Sequence, residues 1–299
     1  MQKSVTFLTR HFRPAARHLS TTPSLKAEVE VQEESSHVFH VKLNRPERRN
    51  AFTIDMWREM KKVFDSLADE PKCRAIVLSG NGKSFCSGID LQMGMGNLIQ
   101  MLMDEEMDVG RKGRMLRRFI TEGQDGFTAL ETCPKPVIAA IHSHCYGAGV
   151  DLITACDVRY SSSDAVFNIK EVDIGMTADV GTLNRIEKVV GNSSWVREVA
   201  YTAKDISADD ALKFGLISRI FDNQKEVLEG ALDLAKLIAE KSPIAVQGTK
   251  EVLNHARNHT IEESLDFVKT WNMSQLQSAD LRNSAMAAMS KQKVEYENV

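Results

Sequence analysis

The chain has 299 residues, 42% of them apolar and 26% charged, and carries a net charge of −3 at pH 7. That is material for one large core or two small ones, with no global field drawing the chain to nucleic acid or an anionic membrane. No apolar run approaches the ~18 residues that a spanning helix needs.

The first 26 residues, MQKSVTFLTRHFRPAARHLSTTPSLK, contain no acid, and Lys3, Arg10, Arg13, Arg17 and Lys26 are spread among Ser, Thr and apolar residues. A basic, Ser-rich, acid-free segment predicts a mitochondrial transit peptide over residues 1–27 and a matrix location. The final YENV is not a peroxisomal SKL-type address. After the polar stretch QEESS, the alternation in HVFHVKLN predicts a first strand over Val38–Leu43. RPERRN is a charged turn. Met56, Met60, Val63, Phe64 and Leu67 recur at helical spacing and predict a helix over 53–69, capped by Thr53 or Asp55.

RAIVLSG, 74–80, reads as a buried strand, and NGKSFCSGIDL as the loop after it. Residues 94–131 read as weakly punctuated helix, KPVIAAIHS, 135–143, as strand, and GAGVDLITACD as a glycine turn opening a buried helix. VRYSSSDAVFNI is strand-like with a turn, 182–203 and 207–214 are helical, and LISRIFD is a short strand. From Glu226 onward the pattern is helical, with a break at Pro243. Short strands alternating with helices, then a helical tail, predict an α/β core over 28–230 and a helical C-terminal region over 231–299.

Several chemistries lack their motifs. GxxxxGK[ST], GxGxxG after a strand, GxSxG and HExxH are all absent. The five cysteines, Cys73, Cys86, Cys133, Cys145 and Cys156, are odd in number and form no CxxC pair. They predict reduced, inert thiols rather than a disulfide framework or zinc site. His142 and His144, two apart, share a strand face without a third ligand, so they read as structural or surface histidines and no metal site is expected.

Three acids stand out. Asp151 in AGVDLI, Glu171 in NIKEVDIG and Asp179 in TADVG each sit among apolar or small residues. Acids in such settings acquire raised pKa values and can trade protons near neutral pH. Capping and ion pairing are the bland alternatives. The small residues of SGID, 87–90, and GAGVD, 147–151, leave backbone N–H groups unobstructed. Two such turns meeting at one oxygen would form an oxyanion hole; separately they are ordinary glycine turns.

Taken together, LNRPERRNAF, GNGKSFCSGIDL, KPVIAAIHSHCYGAGVDLITACDVRYSSSDAVF and LKFGLISRIFD resemble, in order over residues 37–290, the blocks of the crotonase, or enoyl-CoA hydratase/isomerase, superfamily. The resemblance implies a spiral of ββα units with a helical C-terminal region, hexamers built as paired trimers, and acyl-CoA thioester substrates. It implies that the N–H groups of Ile89 and Ala148 hold the thioester oxygen, and that Ser87, Gly88, Ile89, Asp90, Leu91 and Ala148 line the substrate channel. The family usually has glycine at the position of Ala148. Its hydratases have glutamate where this chain has Asp151, and glycine where it has Asp179.

The set Asp151, Glu171 and Asp179, with KEVDIGMTADVGTLNRI, KSPIAVQGTK and WNMSQLQSADL, resembles the dienoyl-CoA isomerase branch of that family. The implied reaction converts 3,5-dienoyl-CoA to 2,4-dienoyl-CoA in unsaturated fatty acid β-oxidation, by carboxylate proton shuttling and without metal or redox cofactor. The alternatives are a 2-enoyl-CoA hydratase, a Δ3,Δ2-enoyl-CoA isomerase, and an RNA-binding relative. For the last, RKGRMLRR, 111–118, is the main basic cluster, and it reads as a solvated helix face. Arg45, Arg48 and Arg49 read as solvated charge or as partners for CoA phosphates. The Met-rich stretch 93–107 reads as core or as a flexible wall of the acyl pocket.

Overall fold

A computed structural model describes residues 27–291 and 293–299. The expected transit peptide lies, but for its last residue, outside the described residues. The described residues open with β1 (Val29–Ser35) and β2 (Val38–Leu43), then α1 (Ile54–Ala68) and β3 (Ala75–Gly80). Helices α2 (Gly96–Met103) and α3 (Val109–Thr132) follow, then β4 (Val137–Ile141), β5 (His144–Tyr146) and α4 (Ala148–Thr154). Next come β6 (Val158–Ser162), β7 (Val166–Asn168), a 3-10 turn at Glu171–Ile174, α5 (Thr182–Val190) and α6 (Ser193–Thr202). The rest is β8 (Ile206–Ser207), α7 (Ala208–Phe214), β9 (Arg219–Phe221), α8 (Gln224–Ala239), α9 (Pro243–Ala256), α10 (Ile261–Gln275) and α11 (Ala279–Ser290).

Six strands form one sheet in the order β1-β2-β3-β4-β6-β9, and β5, β7 and β8 form a second. In the larger sheet only the β1–β2 pairing is antiparallel. Period-two alternation sorts the side chains to its two faces. Ile76, Leu78, Val137, Ala139 and Ile141 enter the main core, where α1 contributes Met56, Trp57, Met60, Phe64 and Leu67. Ala75, Val77, Ile138 and Ala140 point the other way, against Val227, Ala231, Ala235 and Ala239 of α8. That i, i+4 stripe of small residues lets α8 lie flat on the sheet.

The alternating α/β core and helical tail agree with expectation, with four differences. The strand over Val38–Leu43 is the second one: β1 precedes it, pairing Val29 with Leu43 and Val31 with Val41. As an edge strand β1 keeps most of its residues in solvent, so its polar VEVQEES carries little apolar signal. The helix expected over 94–131 is two, because Asp108 caps α3 by accepting from the N–H of Arg111. The one expected over 182–203 is also two, since Gly191 at φ 70° ends α5 and Asn192 caps α6. The boundary placed at 230/231 falls inside α8, which belongs to the sheet. The separate helical layer starts at Pro243, the first residue of α9.

Lys250 fastens that layer to the core. Its buried ammonium donates to Leu130 O and Lys135 O, both at 3.0 Å, and to Asp157 Oδ2 at 2.7 Å. Among the described residues no helix is long and apolar enough to cross a membrane.

Candidate active site

Two glycine turns are packed against each other. Cys86 donates its N–H to His144 O at 2.9 Å and accepts at its own carbonyl from Tyr146 N–H at 3.0 Å. This short ladder carries the loop after β3 alongside β5. Gly88, at φ 102°, then bends the chain. Phe52 N–H donates to Gly88 O at 2.8 Å, and Asp90 N–H donates to Phe52 O at 2.9 Å. The amide between them, Ile89 N–H, has no acceptor among the described residues.

Opposite, Gly147 holds φ 49° and ψ −114°, outside the regions open to a side-chain-bearing residue. The turn leaves Ala148 N–H at the head of α4, also without an acceptor among the described residues. A Cβ at Gly147 would sit 3.7 Å from Gly88 Cα. The two free amides therefore flank one small space, and α4 turns its positive end toward it.

Asp151 occupies the fourth position of α4 and is completely buried. It does not cap its own helix. Its Oδ1 accepts the N–H of Thr182, the first residue of α5, at 2.5 Å, while Oδ2 has no partner among the described residues. Gly181, the residue before α5, supplies no side-chain cap, so the carboxyl of α4 takes that place. Burial pushes the Asp151 carboxyl up to about 7, the charge of Glu171 adds to the shift, Thr182 opposes it, and Asp179 raises it further. Glu171 opens the 3-10 turn with its Oε2 unpartnered among the described residues; burial raises its pKa and the Asp179 charge adds to that. Asp179 is half-buried, and burial raises it too. Its carbonyl accepts from Gln124 Nε2 of α3 at 2.7 Å.

All three acids line one cavity of about 130 Å³ with Ser87, Gly88, Ile89, Leu91 and Ala148. The remaining wall is largely apolar: Trp57, Phe119, Ile174, Met176 and Val180, with Lys170 beside Glu171. Trp57 is held edge-to-face by Phe119, their ring centroids 5.5 Å apart. It also packs on Gly126 of α3, where a Cβ would lie 2.9 Å from Trp57 O. An apolar slot ending in two free N–H groups and three protonatable carboxyls suits an acyl chain with a carbonyl whose oxygen gains charge.

The family model described as enoyl-CoA hydratase/isomerase matches residues 33–299. This chain belongs to that family. A Δ3,5-Δ2,4-dienoyl-CoA isomerase from Rattus norvegicus, mitochondrial by name, is 50% identical over 263 residues, covering 88% of this chain and 80% of the relative. A peroxisomal counterpart from Arabidopsis thaliana is 46% identical, covering 87% of this chain and 93% of its own. The crystal structure of an enoyl-CoA hydratase from Bacillus anthracis is 24% identical with a TM-score of 0.81, covering 91% of this chain and 99% of that one, and shares the fold.

Asp90, Arg45 and the Met-rich stretch lie differently from their sequence readings, whereas the other residues of this family member lie as their sequence readings have them. Asp90 does not line the cavity. Its carboxylate accepts from Gln92 N–H and Met93 N–H and pairs with Arg45 at 3.0 Å, bracing the loop from behind. Arg45 is buried rather than solvated, and also pairs with Glu28 at 2.9 Å; Arg48 and Arg49 are exposed. His142 points to Gly82 O and His144 to the Ser143 and Ser84 hydroxyls. Met93 and Met103 are exposed and leave the cavity wall to Trp57, Phe119 and Met176. RKGRMLRR lies largely exposed on α3. Cys145 and Cys156 are buried, and burial raises both thiols, Cys156 to about 12.

Sequence reasoning missed Trp57 and Phe119 as walls, and Thr182 and Gln124 as supports. Trp57 lies inside the helix expected over 53–69 but outside the apolar spacing of Met56, Met60, Val63, Phe64 and Leu67. The one signal for its place is the pair Gly123 and Gly126 on α3, spaced to admit a large ring from a crossing helix.

Proposed function

We propose that the chain is a Δ3,5-Δ2,4-dienoyl-CoA isomerase. The observation that carries this reading is a third carboxyl, Asp179, on the cavity that already holds Asp151 and Glu171. Moving two conjugated double bonds requires a proton taken from the carbon next to the thioester and one given back four carbons further along. One carboxylate does not span both ends; acids on separate segments do. The thioester oxygen becomes a trienolate oxygen as the first proton leaves. The Ile89 and Ala148 N–H groups are free to donate to it, and donors already in place need no reorganisation as the charge grows.

The acids suit the exchange because burial raises each of them toward the pH at which they work. They titrate as a set, each charge raising the cost of the next. Asp151 and Glu171 form the shuttle pair in this reading, with Asp179 as relay or distal acid. The reaction so written consumes no cofactor, and CoA is part of the substrate.

A second reading, hydration of a 2-enoyl-CoA, is favoured by one observation: Asp151 Oδ2 and Glu171 Oε2 are both unpartnered among the described residues, as a pair managing one water would be. The deciding experiment follows 3,5-dienoyl-CoA by its ultraviolet spectrum with wild type and Asp179→Asn. Conversion to the 2,4-dienoyl product, lost in the variant, is expected. Hydration of 2-enoyl-CoA with no action on the dienoyl substrate would overturn the isomerase reading and leave the family membership intact.

For location, the mitochondrial matrix is supported by the basic N-terminal composition and the mitochondrial relative. A peroxisomal site is the alternative, given the plant relative. For assembly, a hexamer of paired trimers is supported by apolar side chains left in solvent on α10 and α11, among them Ile261, Met273 and Met289. Sedimentation of the intact chain tests it.

A further inference from the structure

Thr182 is 1% exposed, and its hydroxyl has no hydrogen-bond partner among the described residues. A buried hydroxyl without a partner is costly, so one retained in a core calls for a reason. The amide of the same residue holds Asp151 Oδ1 at 2.5 Å, which keeps the hydroxyl beside that carboxyl, where it favours the ionised form. Asp151 Oδ2 is likewise buried and unpartnered.

We propose that Thr182 is a positioning residue for the reaction: its amide fixes one oxygen of Asp151, and its hydroxyl is poised to serve the carboxyl as a reversible partner. A threonine hydroxyl suits this because it donates to a carboxylate and accepts from a carboxylic acid by turning one bond. It can follow the proton as Asp151 gains and loses it. The arrangement also ties Asp151 to the segment bearing Asp179, three residues before Thr182. The inference rests on the reading of Asp151 as a proton-carrying group.

The groups facing Asp151 from each packed element are few. Glu171 and Asp179 raise its proton affinity, and the protonated thiols of Cys86 and Cys145 are buried nearby. On α5, Arg185 pairs with Glu131, Lys188 with Asn258, and Glu187 with Ser193 and Arg197. Lys170 at the cavity wall pairs with Asp173. Among the described residues, Thr182 is thus the group placed to favour the Asp151 carboxylate.

The test is a carbon-13 NMR titration of aspartate-labelled intact protein without substrate, with the Asp151 resonance assigned by its loss in Asp151→Asn. Thr182→Val keeps the shape and removes the hydroxyl. The Asp151 midpoint is expected to rise by about one pH unit, a tenfold gain in proton affinity, and to return in Thr182→Ser. The acid-side limb of the pH–kcat/KM profile on 3,5-dienoyl-CoA shifts with it. If Thr182→Val does not fold, Thr182→Ala gives the same reading. A midpoint unmoved in the variant lacking the hydroxyl overturns the proposal. Because this titration needs no turnover, a moved midpoint in a protein inactive on the dienoyl substrate would overturn the isomerase reading alone.

Discussion

Gly147 and Glu171 are in contact across the site: a Cβ on Gly147 would stand 3.1 Å from Glu171 Oε1. The glycine thus provides both the turn that frees Ala148 N–H and the space the carboxyl occupies. Gly147→Ala is expected to cost about 1–3 kcal/mol from backbone strain and to lower turnover at least ~10-fold by displacing Glu171. Gly191→Ala is the control. It has φ 70° with nothing within 4 Å of its Cβ, so it carries strain without collision. Thermal melts and initial rates on both variants check this. Equal loss of turnover in the two would refute the contact as the cause.

The raised carboxyl of Asp151 makes stability depend on pH. The folded protein keeps a proton up to about 7 on a side chain that releases it near ~4 when unfolded. The native state therefore binds more protons across that window, and stability falls as pH rises through it, by a few kcal/mol in total. Glu171 and Asp179, also raised, add in the same direction. Asp151→Asn removes the charge but keeps an oxygen for the Thr182 amide. Denaturant titrations should find the variant more stable than wild type at pH 8, with the gap closing toward pH 5. Turnover should fall by ~10²–10⁴-fold. A gap independent of pH would contradict the assignment.

These relationships differ in how far the sequence discloses them. The cores of β3 and β4 are legible because both faces are covered, so AIVLSG and VIAAI read as continuous apolar runs. The edge strand β1 is not, because its one informative face holds few apolar residues. Asp151, Glu171 and Asp179 are conspicuous as acids in apolar surroundings, and the fold brings them to one cavity. Thr182 is invisible by the same logic, since a threonine after a glycine reads as an ordinary helix start. Asp90 misleads for the opposite reason. It lies between two cavity-lining residues, Ile89 and Leu91, and only the backbone direction reveals that its side chain leaves on the far side.

Lys250 separates stability from catalysis. From the middle of α9 it satisfies two carbonyls and the Asp157 carboxylate, and it does not line the cavity. Lys250→Met strands those acceptors and is expected to cost roughly 3 kcal/mol. Adding Asp157→Asn should recover part of the loss, because the unpaired charge goes with it. Turnover of the folded fraction should stay within about twofold of wild type, since no acid or free amide of the site moves. Unfolding midpoints with rates from the same samples check both halves.

Arg45 is the remaining support, and it acts on the amide of Ile89 through its neighbour. Burial alone would raise the Asp90 carboxyl, but the Met93 amide and the Arg45 guanidinium outweigh it, and the net shift is downward. Asp90 is therefore a charged brace beneath the Ile89 turn, held from one side by Arg45, whose Nε also reaches Glu28 at 2.9 Å. Arg45→Met leaves Asp90 charged and buried without its partner, a loss of about 3 kcal/mol or more. The loop can then relax, and a donor displaced by even a fraction of an ångström loses most of its effect on a developing oxyanion. The expected result is a ~10-fold or larger fall in kcat with a smaller change in KM, because the donor acts chiefly when the charge has formed. Arg45→Lys should not restore it: one ammonium cannot reproduce the planar fork that reaches Asp90, Glu28 and Ala51 O together. A rise in KM with kcat unchanged would instead make Arg45 a binding residue and remove the brace from the mechanism.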